Sequence, residues 1–137
     1  MSNRPIKFRV WDIKEKSFQS QGTELSSLLF LEYQGAIKSN HPDFIFQQFT
    51  GLEDENGKEI YEGDLVNFHI RGCPHGPERE DYENREVWYC PDSAAFLFDK
   101  YYYDGWHGYP AWDIKGIEVV GNIFENPEKT KEPAKPR

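Results

Sequence analysis

Length, composition and charge restrict what this chain can be. It has 137 residues, with 24 acidic against 16 basic side chains and a formal net charge of −8. Such a balance argues against nucleic-acid binding over the whole surface, because a negative chain repels phosphate. No apolar run approaches the roughly eighteen residues of a membrane span, and residues 1–9 lack the apolar stretch of a secretion signal, so a cytoplasmic protein is expected.

The apolar residues favour strands over helices. Phe, Tyr and Trp number 10, 8 and 4, which is about as many side chains as Ile, Leu and Val together supply. Aromatic and β-branched residues suit a pleated surface, and 11 Gly with 9 Pro indicate many turns. We therefore predict a mainly β fold, a small bent antiparallel sheet or partly open barrel with at most one short helix.

Most local patterns predict strands. Residues 6–11 alternate between apolar and polar side chains, as a half-buried strand does, and Phe18 begins the return strand. The Asn56–Gly57 pair predicts a tight turn or hairpin, because both residues tolerate positive φ. Gly121 predicts a bulge in the last strand. Further strands are predicted at residues 44–50, 65–70, 86–89, 95–98 and 117–124.

One segment has helical spacing. Leu25, Leu28 and Leu29 recur at i, i+3 and i+4, and Thr23 is placed to cap a short helix. Residues 28–31 could equally form a buried strand, so both interpretations stay open.

Two segments lack apolar periodicity. Residues 71–84 begin with two Gly and two Pro and continue into an acidic stretch, which predicts an exposed insertion. From Glu125 onward the chain is polar, with three prolines and four basic residues, so residues 127–137 are predicted to form a flexible tail. Residues 1–126 are then a single domain.

Three sequence blocks together carry a family resemblance. They are IKFRVWD at residues 6–12, QFTGLEDENGKEIYEGDLV at 48–66 and VVGNIFENP at 119–127. In this order they closely resemble the YopX family of small phage and prophage proteins. The resemblance implies a β-rich domain encoded by phage or integrated elements and acting in the cytoplasm of a bacterial host. It implies no catalytic residue, and the shared Asn56–Gly57, Gly63–Asp64 and Gly121–Asn122 pairs indicate a fold signature.

Metal binding and catalysis find little support. His69, Cys73, His75 and Cys90 are zinc-ligand types, but a paired C-x₂-C is missing, so we predict no metal, no cofactor and two free thiols. No Walker loop, G-x-S-x-G or H-E-x-x-H is present either. His107 could act as a base, but without a visible nucleophile no catalytic residue is predicted.

The aromatic loop at residues 101–112 is the main candidate for binding. Its large rings alternate with glycine and cannot all enter a core, so some are predicted to anchor a protein partner or a second copy. In the alternatives the rings pack inside, or the loop binds or hydrolyses a saccharide or nucleotide. The candidate residues are the rings Trp106, Tyr109 and Trp112, the carboxylates Asp104 and Asp113, and His107.

Acidic residues form a second candidate surface. Residues 53–64 hold six carboxylates against Lys58 alone, and residues 78–86 hold five against two arginines. Such a face could mimic phosphates and occupy the nucleic-acid site of a host protein, or it could simply keep the domain soluble. The favoured function is a non-enzymatic accessory protein that binds through the aromatic loop and the acidic turn, without nucleic acid or membrane as partner.

Overall fold

The computed structural model describes residues 5–35, 37–38, 41–72, 76, 78–100 and 108–130. Within these ranges the strands form two four-stranded antiparallel sheets, ordered β2-β1-β3-β4 and β7-β6-β5-β8, and neither closes into a barrel. The predicted mainly β class with one short α-helix is confirmed. The elements are β1 Lys7–Asp12, β2 Ser17–Glu24, α1 Leu25–Tyr33, β3 Phe44–Glu53, β4 Glu59–Tyr61, β5 Asp64–Arg71, β6 Arg79–Cys90, β7 Ala95–Phe98, a 3₁₀ turn Ala111–Asp113, β8 Lys115–Asn122 and a 3₁₀ turn Pro127–Lys129.

The chain divides into two compact units, Met1–Leu52 and Glu53–Arg137. In the first unit β1 is central, because it pairs with both β2 and β3. The side chains of Val10, Leu28 and Ile37 form its core, since each is at most 6% exposed.

The predicted division into a domain of residues 1–126 and a tail of residues 127–137 stays a prediction.

The helix exists where the leucine spacing predicted it, and the alternative of a buried strand at residues 28–31 is wrong. The predicted cap is also wrong, because Thr23 belongs to β2, where it pairs with Phe8 and its hydroxyl contacts Ser20. The N-cap is Glu24, whose side chain makes no capping hydrogen bond. Strand pairing therefore continues up to the first turn of the helix.

In the second unit β5 is the central strand, with β6 on one side and β8 on the other. Both faces of β5 are covered, so Leu65 and Val66, which point in opposite directions, are each fully buried. An apolar cluster surrounds this strand, and burial of its surface is a main source of stability. It consists of Ile60, Val66, Phe68, Val87, Phe98 and Ile114.

Several strand boundaries differ from the sequence interpretation, and the start of β6 differs most. Strand β6 begins at Arg79, so the second part of the predicted 71–84 insertion is paired backbone, with His69 opposite Asp81. Strand β8 begins at Lys115, and its register against β5 slips by one residue at Val120, next to Gly121. The bulge predicted there is thus confirmed within one position.

No helix among the described residues has both the length and the apolar character needed to span a membrane.

Candidate functional site

The longest of the three blocks that carry the family resemblance, residues 48–66, contains a turn organised around the carboxylate of Asp54. Its Oδ1 accepts the backbone N–H groups of Asn56 and Lys58, each at 2.9 Å, and its Oδ2 accepts the N–H of Val119 on β8, also at 2.9 Å. Burial alone would raise the pKa of Asp54, but these backbone donors, helped by the charge of Lys58, bring that pKa below its usual value. Asp54 therefore shapes the turn after β3 and ties it to β8.

The second turn of this block uses Gly63 and Asp64. The Asp64 side chain is 2% exposed, and its Oδ2 accepts the N–H of Tyr61 at 2.8 Å. Gly63 has a φ of 85°, its N–H donates to the Val87 carbonyl at 2.7 Å, and its own carbonyl accepts the N–H of Ile123. Glycine adopts this conformation without the steric cost that a Cβ atom would bring.

The third family block forms a turn around Asn122. Its Oδ1 accepts the N–H groups of Phe124 at 3.0 Å and Glu125 at 2.8 Å, and its Nδ2 donates to Glu125 Oε1 at 2.7 Å. A Cβ atom at Gly121 would lie 2.5 Å from Asn126 Oδ1, the atom that accepts the Asn122 N–H. The turn residues that carry the resemblance thus have structural tasks.

The two acidic segments are not uniform solvated faces. In the first, Asp54 and Asp64 are buried acceptors within turns. In the second, Asp81 Oδ1 lies 2.7 Å from Arg79 Nε, and Glu86 Oε2 lies 3.0 Å from Lys100 Nζ. Fewer carboxylates are therefore available for phosphate mimicry than the sequence count suggests.

The four residues considered as metal ligands are only partly described. Cys90 is buried and forms no disulfide, and His69 lies on β5, whereas Cys73 and His75 fall outside the described residues. Over the part of the chain that is described, no group of three or more His, Cys, Asp or Glu side chains is arranged to hold a metal ion. The absence of metal and cofactor stays a prediction.

The aromatic loop is described from residue 108 onward. Asp104, Trp106 and His107 lie outside the described residues, whereas Tyr109, Trp112 and Asp113 lie inside them. The structure thus places half of the six candidate residues.

Tyr109 belongs to an internal ring cluster. Its backbone pairs with that of Phe98 through hydrogen bonds of 2.8 and 3.2 Å, and its hydroxyl lies 2.9 Å from the hydroxyl of Tyr82. The ring contacts Phe68 and Tyr82 with centroid distances of 5.9 and 5.3 Å. Tyr109 therefore fastens the end of the loop to the core, and its side chain is only partly accessible.

Trp112 occupies the opposite kind of environment, since its side chain is 80% exposed. It sits in the 3₁₀ turn Ala111–Asp113, which the Asp113 N–H closes by donating to the Pro110 carbonyl at 3.1 Å. Ala111 packs against the core on one side and Ile114 is buried on the other. A short, fixed turn thus displays a large ring with an exposed carboxylate, Asp113, beside it.

A charged pair with a buried carboxylate and a partly buried guanidinium lies just before the loop, and sequence reasoning missed it. Asp99 is 3% exposed with a φ of 83°, and its Oδ1 lies 3.6 Å from Arg85 Nη1. Burial raises the pKa of Asp99, and the neighbouring guanidinium offsets only part of that effect. In the sequence, this pair is indicated only by the position of Asp99, a charged residue directly after the apolar strand β7.

The structure is therefore that of a mainly β protein. Two of its three characteristic sequence blocks form turns, and an exposed tryptophan lies on a 3₁₀ turn. The chain belongs to the YopX family, because the model of that family, described as YopX protein, matches residues 7–131. A similar solved structure is the crystal structure of protein EF1440 from Enterococcus faecalis, with 22% identity and a TM-score of 0.50 over 92% of this chain and 98% of that one. That likeness concerns the fold alone. Among curated proteins, none matches significantly.

Proposed function

We propose that this chain is a non-enzymatic accessory protein of a phage or prophage, which acts in the bacterial cytoplasm by binding a protein partner through Trp112. The observation that carries the proposal is the 80% exposure of this ring on a turn held by the packed Ala111 and the buried Ile114. Trp is among the residues most enriched at the energetic centres of protein interfaces, because it offers a large area at little cost in side-chain entropy.

The surroundings of Trp112 support an anchor that is already in its binding geometry. Pro110 precedes the 3₁₀ turn in extended backbone, and Tyr109 is fixed to Phe98 by two backbone hydrogen bonds. A partner would therefore not have to order this part of the backbone, which lowers the entropic cost of association. Asp113 is exposed beside the ring and supplies a charge that selects orientation.

Replacement of Trp112 by alanine is expected to separate binding from stability. Because the ring is exposed, Trp112→Ala should change the free energy of unfolding by less than about 0.5 kcal/mol. Affinity for the partner should fall at least about 30-fold, as expected for an interface anchor. Affinity capture from a bacterial host extract with quantitative mass spectrometry identifies the partner, and titration of the purified partner measures the loss.

Tyr89→Ala is the matched control, because Tyr89 is also an exposed ring, at 46%, but lies on β6. The control should retain the partner. A partner bound equally by wild type and Trp112→Ala would refute the proposal. Association that weakens steeply with added salt would instead point to phosphate mimicry by the acidic segments. Thermal stabilisation by a saccharide or nucleotide would point to a small ligand.

A further inference from the structure

An extended exposed apolar surface of the first unit lies on α1 and does not involve Trp112. Leu25, Leu29, Phe30 and Tyr33 are 44%, 57%, 58% and 89% exposed, and Ile6 beside the helix is 45% exposed. Leu28 is the one buried residue of the helix. Leu31 is partly buried against the same core, so the helix packs Leu28 and Leu31 inward and leaves a second row of apolar residues exposed.

The exposed apolar area of this face is about what one partner contributes to a small, stable protein interface. With about 200 Å² for a fully exposed side chain of this size, the five residues expose roughly 600 Å², the upper end for the largest patch on a monomer. Two such faces together would bury roughly 1,200 Å², which reaches the lower limit of specific protein interfaces.

The pattern along the helix is self-complementary. Leu25, Leu29 and Tyr33 are spaced by four residues and are symmetric about Leu29, the middle residue of α1. In an antiparallel, two-fold pairing Leu29 would face its own copy on the axis, and Leu25 would face Tyr33 at both ends. The apolar row is thus arranged for the isologous contact that a homodimer requires.

The charge distribution also fits a second copy. Two chains that each carry −8 repel one another overall, and a two-fold contact sets each face against its own copy, so a face with little charge is favoured. Helix α1 contains no basic residue and one acidic residue, Glu32. The leucine and aromatic positions of its exposed face therefore carry no charge that would repel the same face of a second copy.

We propose that the exposed face of α1, formed by Leu25, Leu29, Phe30, Tyr33 and the adjoining Ile6, is a self-association surface that the same face of a second copy covers in an antiparallel, two-fold dimer. The contact is separate from the Trp112 surface and does not depend on the function proposed for it.

Sedimentation equilibrium of the full chain tests the dimer. The wild type should be dimeric at about 100 µM, well above the micromolar constants of small interfaces. Leu29→Glu and Leu29→Lys should each weaken the dimer at least about 30-fold, because each places two like charges against one another on the axis. An equimolar mixture of the two variants should restore dimers, since opposite charges then meet there.

The controls make each outcome decisive. Ile13→Glu alters an exposed apolar residue, at 46%, in the turn between β1 and β2, and should leave the dimer intact. Circular dichroism verifies that the Leu29 variants are folded, as expected for a half-exposed site. A monomeric wild type, a dimer that survives Leu29→Glu, or a mixture without recovery would overturn the proposal. Dissociation by Trp112→Ala would also overturn it, but would support self-association through the Trp112 surface.

Discussion

Gly108→Ala is expected to destabilise the second unit by about 3 kcal/mol, a large effect for the addition of one methyl group. A Cβ atom at this position would lie 2.1 Å from the Asp99 carbonyl oxygen and 3.1 Å from Leu97 Cβ. The carbonyl cannot move away freely, because it accepts the indole N–H of Trp88 at 3.0 Å. The Asp99 N–H is also engaged, donating to the Glu86 carbonyl at 3.0 Å. Relief of the clash therefore requires hydrogen bonds to break.

Urea unfolding followed by circular dichroism measures this effect. The matched control is Gly57→Ala, where a Cβ atom meets open space but φ is 80°. That control should cost only about 1 kcal/mol, the usual penalty of a left-handed backbone for alanine. If Gly108→Ala were no more destabilising than Gly57→Ala, the result would contradict the close packing of Gly108 against Leu97 and Asp99. The variant should also lower partner affinity, because Gly108 helps to place the turn that carries Trp112.

Asp54→Asn is expected to cost about 3 kcal/mol of unfolding free energy. The carboxylate accepts three backbone N–H groups, and an amide can present an oxygen to only one side of that arrangement. With its oxygen kept toward Asn56 and Lys58, the amide would point its own N–H₂ at the Val119 N–H. Glu55→Gln, an exposed neighbour in the same turn, is the control and should change stability by less than about 0.5 kcal/mol.

The pH dependence of stability provides a second readout for Asp54. Its pKa is lower in the folded protein than the usual 3.8, so its stabilisation is complete above that value and is lost as pH falls through the folded pKa. Wild type should therefore lose part of its advantage over Asp54→Asn when unfolding is measured below about pH 4. An advantage that stays constant down to the most acidic pH at which both proteins fold would contradict the assignment of Asp54 as a charged acceptor.

The strands with β-branched or aromatic runs were predictable, and those built on charged residues were not. The prediction for residues 95–98 coincides with β7, because Phe96, Leu97 and Phe98 form an uninterrupted apolar run. The first half of β6 was missed, since Tyr82 is its one large apolar residue and Glu80, Asp81 and Glu83 read as solvent-exposed loop. Its pairing with β5 supplies backbone hydrogen bonds that no side-chain pattern reveals.

The candidate site was predictable in outline only. A ring exposed to water was expected between residues 101 and 112, and Trp112 has that property, whereas Tyr109 is held by Phe68 and Tyr82. Both are aromatic residues in a Gly-rich segment, and the pairing of Tyr109 with Phe98, which brings that ring to the core, has no signature in the sequence. Similarly, six carboxylates at residues 53–64 look alike in sequence, but Asp54 precedes Asn-Gly at the spacing of a side-chain-capped turn. That spacing was the available signal for its structural role.

Site-specific photo-crosslinking tests the central claim most directly. A photoreactive phenylalanine derivative at position 112 keeps a large aromatic ring there, so it should still bind and form an adduct with one partner protein in a bacterial host. The same group at the exposed position 118 on β8 should not. Loss of the adduct on co-expression of an excess of unlabelled wild type, but not of Trp112→Ala, would support an anchor at Trp112. Equal labelling from positions 112 and 118, or no adduct at 112 in a folded protein, would contradict it.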